Sequence, residues 1–109
     1  MQKRTKATSI PPKVREEVES RDSINGVPCC IFCGSPNARG EGHFIRRSQG
    51  GLGIPQNLLT VCRIHHRLLD ESDFSDMYKQ KAREYLKSKY PDWNEKDLVY
   101  NKWSGFKYQ

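Results

Sequence analysis

Two histidines, His43 and His66, bracket a short glycine-rich segment that contains Asn57. His43 precedes Asn57 by 14 residues, and Asn57 precedes His66 by 9. Hydrolysis of a phosphodiester needs a deprotonated water, a cation at the phosphoryl charge and help for the leaving oxygen. A neutral imidazole near pH 7 is the natural base for that water. Taken singly, His43 could be a core histidine and Asn57 a turn residue, but together they are residue types that a hydrolytic site uses.

A second set of side chains could bind a metal ion. Cys30 and Cys33 form a C-x2-C pair, and Cys62 and His65 repeat that spacing further along the chain. Two such pairs satisfy the tetrahedral preference of a structural zinc ion. Cys29 could replace Cys30, but its four-residue separation from Cys33 is less usual, so we expect Cys29 to be a free, partly buried thiol.

The segment His43-Phe44-Ile45-Arg46-Arg47-Ser48-Gln49-Gly50-Gly51, with Asn57 and the following Cys62-Arg63-Ile64-His65-His66, resembles the HNH endonuclease family. These are small metal-dependent DNA nucleases of the ββα-metal type, and the resemblance covers about residues 28–72. Family members commonly have cysteine at the position of His65, so this chain would carry a Cys3His version of their zinc site. The amino-acid sequence of the loop is similar to that of a phage and prophage branch of this family.

The resemblance implies a role for each residue of the hydrolytic set. His43 would be the general base, Asn57 a catalytic-site asparagine that braces the hairpin, and His66 a ligand of a catalytic Mg²⁺ or Mn²⁺ ion. Asp70 follows His66 by four residues, so on a helix it would share that face and bind the same ion. The family often has a metal ligand immediately before the base, where this chain has Gly42. Glu41 or water would then replace that ligand, or the catalytic site is degenerate.

Composition indicates a small domain that needs a metal to stay folded. The chain has 109 residues and is 35% hydrophobic, which leaves little material for a core. No apolar run of signal-peptide length follows the basic N-terminus, and no run of 18 apolar residues occurs. We therefore expect a reduced cytoplasmic protein, in a bacterial or phage-infected cell, with no membrane association and with zinc rather than disulfides.

The net charge of +6 and a pI near 9.3 favour a nucleic-acid partner, and the resemblance implies that this partner is double-stranded DNA. Part of the excess lies near the N-terminus, where it could belong to a solvated tail. Four other cations bracket the histidines, and we expect them to contact DNA phosphates: Arg46, Arg47, Arg63 and Arg67.

The element pattern indicates the α+β class with a ββα unit flanked by helices, and the resemblance implies that this unit is a small ββα-metal (HNH) core stabilised by zinc. We predict a basic flexible arm over residues 1–10 and a single domain over 11–109. A helix should run from the paired prolines to Arg21. The core, about residues 40–72, should contain strands at 41–46 and 58–61 and a helix at 63–71 with Ile64 and Leu68 on its apolar face. C-terminal helices should occupy about 75–103, and the domain should be closed by the packing of Trp93, Trp103 and Phe106.

Three functions fit this pattern. The first is a metal-dependent DNA endonuclease that nicks or cuts with little sequence choice, because so small a domain has few side chains left for base readout. The second is a zinc-stabilised DNA-binding module with a degenerate catalytic site. The third is an accessory subunit of a phage packaging terminase or a restriction system.

Overall fold

The computed structural model of the chain describes residues 3–71 and 75–100 and has the expected α+β architecture. The helices and strands, in chain order, are α1 (Lys3–Thr8), α2 (Pro12–Arg21), β1 (Ser23–Ile24), β2 (Val27–Pro28), β3 (Ala38–His43), β4 (Leu58–Cys62), α3 (Arg63–Glu71) and α4 (Ser75–Lys89). Three short 3-10 turns lie at Arg47–Gln49, Pro55–Asn57 and Glu95–Leu98. Two antiparallel pairs make the sheets, β1 with β2 and β3 with β4.

The hairpin of β3 and β4 is followed directly by α3, which gives the strand, loop, strand and helix order that the sequence predicts. The strands pair with His43 opposite Leu58 and Ala38 opposite Cys62, and the register shifts between Arg39 and Gly42. The predicted strand at 41–46 is wrong in its bounds, since β3 runs from Ala38 to His43. Beyond His43 the backbone bonds to Asn57 instead of to a neighbouring strand, which ends the ladder.

The hydrophobic core lies between this hairpin and helices α3 and α4. Its fully buried side chains include Phe44, Leu59, Leu69, Ala82, Leu86 and Leu98. Ile64 was expected on the apolar face of α3, and this expectation is wrong, because its exposed fraction is 69%. The inward-facing residues of α3 are instead His65 and Leu69, which are four residues apart and so share one face. His65 faces inward toward the Cys62 sulfur.

A buried ion pair supports β4 from the side of α2. The Arg21 guanidinium donates to Asp22, to the Leu58 carbonyl at 2.7 Å and to the Pro55 carbonyl at 2.8 Å. The Asp22 carboxylate also accepts from the Thr60 N–H at 2.9 Å and from the Tyr85 hydroxyl. Because this buried ion pair also hydrogen-bonds to β4 and α4, it fixes the positions of α2, β4 and α4 relative to one another.

The basic N-terminal segment, predicted to be a flexible arm, contains helix α1 in this structure. Residues Lys3–Thr8 form a helix, and the buried Thr8 packs against the loop after β3. The Gly53 N–H donates to the Ala7 carbonyl at 3.0 Å. A Cβ atom at Gly53 would lie 1.9 Å from the Ser9 carbonyl oxygen, so only glycine allows this close approach.

The C-terminal region agrees with the prediction as far as it is described. Helix α4 buries Ala82 and Leu86, and the Asn94 side chain accepts from the Lys96 N–H at the start of the last turn. Trp93 packs edge-on against Phe44 and donates to the Gln56 carbonyl, as expected for a packing residue. Trp103 and Phe106 lie outside the described residues. Within residues 3–71 and 75–100, no helix has the length and apolarity needed to cross a membrane.

Candidate functional site

Four side chains form a cluster that can bind a metal ion such as zinc. The ligand atoms of Cys30, Cys33, Cys62 and His65 all lie within 4.8 Å of one another. The Cys33 and Cys62 sulfurs are 3.8 Å apart, and the Cys62 sulfur is 3.2 Å from His65 Nδ1. Around a tetrahedral zinc with bonds of about 2.3 Å, neighbouring sulfur ligands are about 3.8 Å apart. The cluster therefore fits the predicted Cys3His set.

Two turns bring these ligands together. The first turn closes through the Gly34 N–H, which donates to the Cys30 carbonyl at 2.8 Å, and Gly34 adopts a φ of 77° that favours glycine. The Ile31 N–H donates to the Thr60 carbonyl, which fixes this turn to β4. The second turn is the junction of β4 and α3, where Cys62 is the last strand residue and His65 lies in the first helical turn.

The electrostatics of the cluster favour a bound cation. Burial raises the pKa of Cys30, but backbone N–H groups of Cys62, Cys33 and Phe32 outweigh this, so the net shift is downward. At Cys33 the backbone N–H of Ser35 lowers the pKa, yet burial and the two neighbouring thiols together raise it. A positive ion shared among the sulfurs would stabilise their thiolate forms.

Cys29 takes no part in this cluster. Its side chain is buried, and its sulfur donates to the Val27 carbonyl at 3.2 Å. It is a free thiol, as the spacing predicts.

A polar groove lies beside the metal cluster, between the outward face of β3 and α3. Two adjoining concavities form it, of about 680 and 490 Å³, and both are lined by Glu41 and His66. The second also contains His43 and Asp70. The structure thus brings His43, His66 and Asp70 into one groove, and adds Glu41.

His66 and Asp70 lie side by side on α3 and face the groove. His66 Nε2 lies 3.5 Å from Asp70 Oδ2, and both side chains are partly exposed to the groove. Neighbouring donors around an octahedral Mg²⁺ are about 3 Å apart, so the pair fits such an ion with only a small adjustment. Glu41 is turned toward Arg15, at 3.3 Å. Among residues 3–71 and 75–100, only the Cys3His cluster has three or more metal-ligating side chains within reach of one ion.

His43 is held in one orientation by the N-terminal segment. Its Nε2 lies 3.1 Å from the Thr8 carbonyl oxygen, which can only accept, so Nε2 carries the proton and Nδ1 is left as the proton acceptor. Burial lowers the pKa of His43 below its ordinary value of 6.5, and Arg47 and His66 lower it further against the opposing Thr8 carbonyl and Asp70. The imidazole is therefore neutral at pH 7, the state that a general base requires.

Gly42 cannot be the position of a metal ligand in this fold. A Cβ atom there would lie 2.9 Å from Val61 Cγ2 and 3.2 Å from the Leu59 carbonyl oxygen. Val61 and Leu59 belong to the buried core, so position 42 has no room for a ligating side chain. Glu41 and His43 are the β3 residues that line the concavity containing Asp70.

We predict that Gly42→Asp destabilises the fold and does not create a ligand. Overpacking costs ~1–3 kcal/mol, and a buried, unpaired carboxylate costs more. Urea unfolding of the zinc-loaded variant checks this, with Glu41→Asp as the control, because that carboxylate stays on the outward face. A Gly42→Asp variant as stable as the parent would contradict the lack of room at residue 42.

Asn57 is buried and braces the hairpin, which is the part the resemblance implies. Its Oδ1 accepts from the Ile45 N–H at 2.8 Å, and its Nδ2 donates to the Ile45 and Leu52 carbonyls. Its own carbonyl accepts from the Phe44 N–H. Because the whole residue is inaccessible to solvent, Asn57 acts on the groove by shaping the loop and not by contacting a substrate.

The four predicted phosphate-binding arginines are all exposed but differ in their surroundings. Arg46 and Arg47 line the groove beside His43, and Arg63 lines it beyond His66. Arg67 lies one turn further along α3, on the same helical face as Arg63. Arg47 also donates to the Thr8 hydroxyl at 3.1 Å and to Ser9 Oγ at 2.7 Å, so it fastens the N-terminal segment to the loop.

The sequence left the part of Glu41 open and gave no indication of the Thr8 carbonyl. Glu41 is recognisable in retrospect, since residues two apart on a strand share a face and Glu41 precedes His43 by two. The Thr8 carbonyl carries no sequence signal, because any residue supplies a carbonyl.

A scan of protein-family models, a search of curated proteins and a search of solved structures each gave no match to this chain.

Proposed function

We propose that this chain is a metal-dependent DNA endonuclease of the HNH type, with a structural zinc in the Cys3His cluster and a Mg²⁺ or Mn²⁺ ion at His66 and Asp70. The observation that carries the proposal is the groove itself. A neutral histidine with one free nitrogen lies there together with a histidine–carboxylate pair suited to a divalent ion. Exposed arginines flank the same groove, which suits a polyanion.

In this proposal His43 Nδ1 accepts a proton from a water molecule in the groove. The water oxygen attacks the phosphorus of a DNA phosphodiester, and the bond from phosphorus to the leaving sugar oxygen breaks. The leaving oxygen is then protonated from solvent. When bound, the divalent ion stabilises charge on the phosphoryl and leaving oxygens.

The remaining groove residues position the DNA strand and the base. Arg46 and Arg63, on the two sides of His66, neutralise backbone phosphates and carry no sequence information. The Thr8 carbonyl holds the imidazole so that Nδ1 remains free. Glu41 is a further carboxylate on the groove face, and it would supply an oxygen ligand to the ion if it left Arg15.

The metal requirement tests this assignment. We expect supercoiled plasmid to be nicked only when Mg²⁺ or Mn²⁺ is added, with a millimolar-range requirement because only two or three protein ligands serve the ion. His66→Ala should raise the metal concentration for half-maximal nicking by about tenfold or more, and Glu41→Gln by less. Arg39→Gln, at the opposite end of the groove, is the charge-changing control. An unchanged metal requirement in His66→Ala would remove His66 from the ion site.

A second candidate is a DNA-binding module that does not cut. One observation favours it. Among the described residues, His66 and Asp70 are the only metal-ligating groove side chains in direct contact, so a catalytic ion would have only two protein ligands close together. The two functions separate in one experiment. Duplex binding in the presence of chelator, without nicking under any divalent ion, supports the binding module.

The N-terminal segment should affect the rate of nicking more than DNA binding. Deleting residues 1–9 removes the Thr8 carbonyl that orients His43, and misorientation of a base lowers the rate by roughly 10- to 100-fold. The measurement is the single-turnover nicking rate at saturating protein. Because deletion also removes basic residues, the control is the full chain with Lys3, Arg4 and Lys6 replaced by glutamine. A deleted chain that nicks as fast as this control would show that the segment does not position His43.

A further inference from the structure

A second basic concavity, of about 450 Å³, lies beside the groove on the side of α4. The side chains that give it its character are Arg46, Gln49, Lys79 and Arg83, together with the first residues of α4, Ser75 and Asp76. Arg46 lines both this concavity and the groove that contains His43. The two are therefore neighbours, joined by one arginine side chain.

Positive charge exceeds negative charge at this place. Burial lowers the pKa of Lys79, and the nearby Arg46 cation lowers it further, with Arg83 acting in the same direction and Asp70 and Glu95 opposing. Glu95 is already paired with Arg83. Asp76 lies at the rim and is exposed.

Two cations of this concavity, Lys79 and Arg46, form no ion pair with a carboxylate of the described residues. The half-buried Lys79 ammonium donates to the Phe44 carbonyl, and it forms no ion pair within the part of the chain that the structure describes. Arg46 is exposed, and its guanidinium makes no hydrogen bond or ion pair to any residue in the ranges 3–71 and 75–100. Cations crowded together without anions gain stability from a bound phosphate.

We infer that Arg46, Lys79 and the first turns of α4 form a subsite for a DNA backbone phosphate, adjacent to the phosphate held in the groove of His43. The inference rests on the proposed function for the choice of ligand. It assigns to α4 a part in substrate binding, in addition to its packing role. Lys79 has a further consequence for the site, because it holds the Phe44 carbonyl directly after His43. A strand bound there would lie against the end of β3 that carries the base.

The test compares two lysines on the same helix. Lys79→Gln removes a cation from the concavity, and Lys87→Gln removes one from the exposed far end of α4. Duplex affinity is measured by fluorescence anisotropy with chelator present, from about 0.05 to 0.3 M salt, using two unrelated sequences. One phosphate contact contributes a slope of about 0.9 to the log–log salt dependence, equivalent to about eightfold in affinity at 0.1 M salt. We expect that loss in Lys79→Gln for both sequences, and little change in Lys87→Gln.

Gln49→Glu provides an independent variant, because Lys79 also donates to the backbone and its loss can disturb β3. Gln49 is exposed and lines this concavity but neither concavity of the His43 groove, so a carboxylate there should repel a phosphate at the subsite and lower the slope by a similar amount. Lys79→Arg should retain most of the affinity. If Lys79→Gln fails to fold, Gln49→Glu and Lys79→Arg decide the matter.

The outcomes separate this subsite from the nuclease activity. An unchanged salt slope in Lys79→Gln and Gln49→Glu, from a parent that nicks DNA, overturns the subsite and leaves the proposed function standing. An equal loss in Lys87→Gln also overturns it, since the effect is then one of net charge. A reduced slope from a parent that never nicks supports the subsite and overturns the nuclease. A parent that binds no duplex overturns both.

Discussion

Cys62→Ser should lose its zinc and unfold. Cys62 is buried at the junction of β4 and α3, and its sulfur is within 3.8 Å of Cys33 Sγ and within 3.2 Å of His65 Nδ1. Structural zinc sites contribute apparent binding free energies of about 10–16 kcal/mol, as large as the whole free energy of unfolding of a typical domain, about 5–15 kcal/mol. Elemental analysis of the purified variant and its circular dichroism melt should therefore show no zinc and no cooperative transition.

Cys29→Ser is the matched control for this prediction. Cys29 is adjacent in sequence to the ligand Cys30, is also buried, and its sulfur donates to the Val27 carbonyl. It should keep one zinc per chain and lose on the order of 1 kcal/mol of stability at most. A folded, zinc-free Cys62→Ser, or equal damage from the two substitutions, would contradict the assignment of the ligands.

His43→Ala should abolish nicking and leave the fold nearly intact. A general base contributes ~10² to 10⁴ in rate and little to binding. The His43 imidazole is partly buried and donates to the Thr8 carbonyl, a bond remote from the zinc ligands, so its removal should leave zinc content and duplex affinity close to those of the parent. The measurement is the single-turnover nicking rate at saturating protein and metal. His65→Ala serves as a contrast, because a zinc ligand should lose zinc and structure as well as activity.

The pH dependence of the parent follows from the same residue. Burial holds the pKa of folded His43 below 6.5, so the neutral base persists at pH 7 and the nicking rate should fall only as the pH decreases below 6.5. The unfolded chain binds this proton more readily than the folded chain. Stability should therefore decrease as the pH falls from 6.5 through the lower folded pKa, and His43→Ala should lose that contribution. Urea unfolding of both proteins between pH 5 and 7.5 measures the difference without any assay of activity.

The features predictable from sequence are those set by short-range spacing. Cys30, Cys33, Cys62 and His65 were identified because each pair has its two ligands three residues apart, a separation that one turn brings together. Helix α3 was located by the same kind of local pattern, and with it the pairing of His66 and Asp70. Asn57 was expected to brace the hairpin, and its hydrogen bonds do so.

The features that sequence did not predict depend on contacts between distant residues. Helix α1 has no hydrophobic periodicity, and its placement depends on Gly53 and on Arg47, about 40 residues away. Ile64 was misplaced because apolarity alone cannot tell which face of a short helix meets the core. The lack of room at Gly42 comes from Val61 and Leu59 on the paired strand, a contact that no pattern in the sequence indicates.

The central claim, that this groove hydrolyses phosphodiester bonds in DNA, is tested most directly by the zinc-loaded parent chain acting on supercoiled plasmid. Open-circle product is followed over time with Mg²⁺, with Mn²⁺ and with chelator, at a concentration of chelator that leaves the zinc in place. We predict nicking with either divalent ion, none with chelator, and none by His43→Ala assayed in parallel. Intact plasmid under every condition, from a parent that retains its zinc and its fold, would contradict the claim.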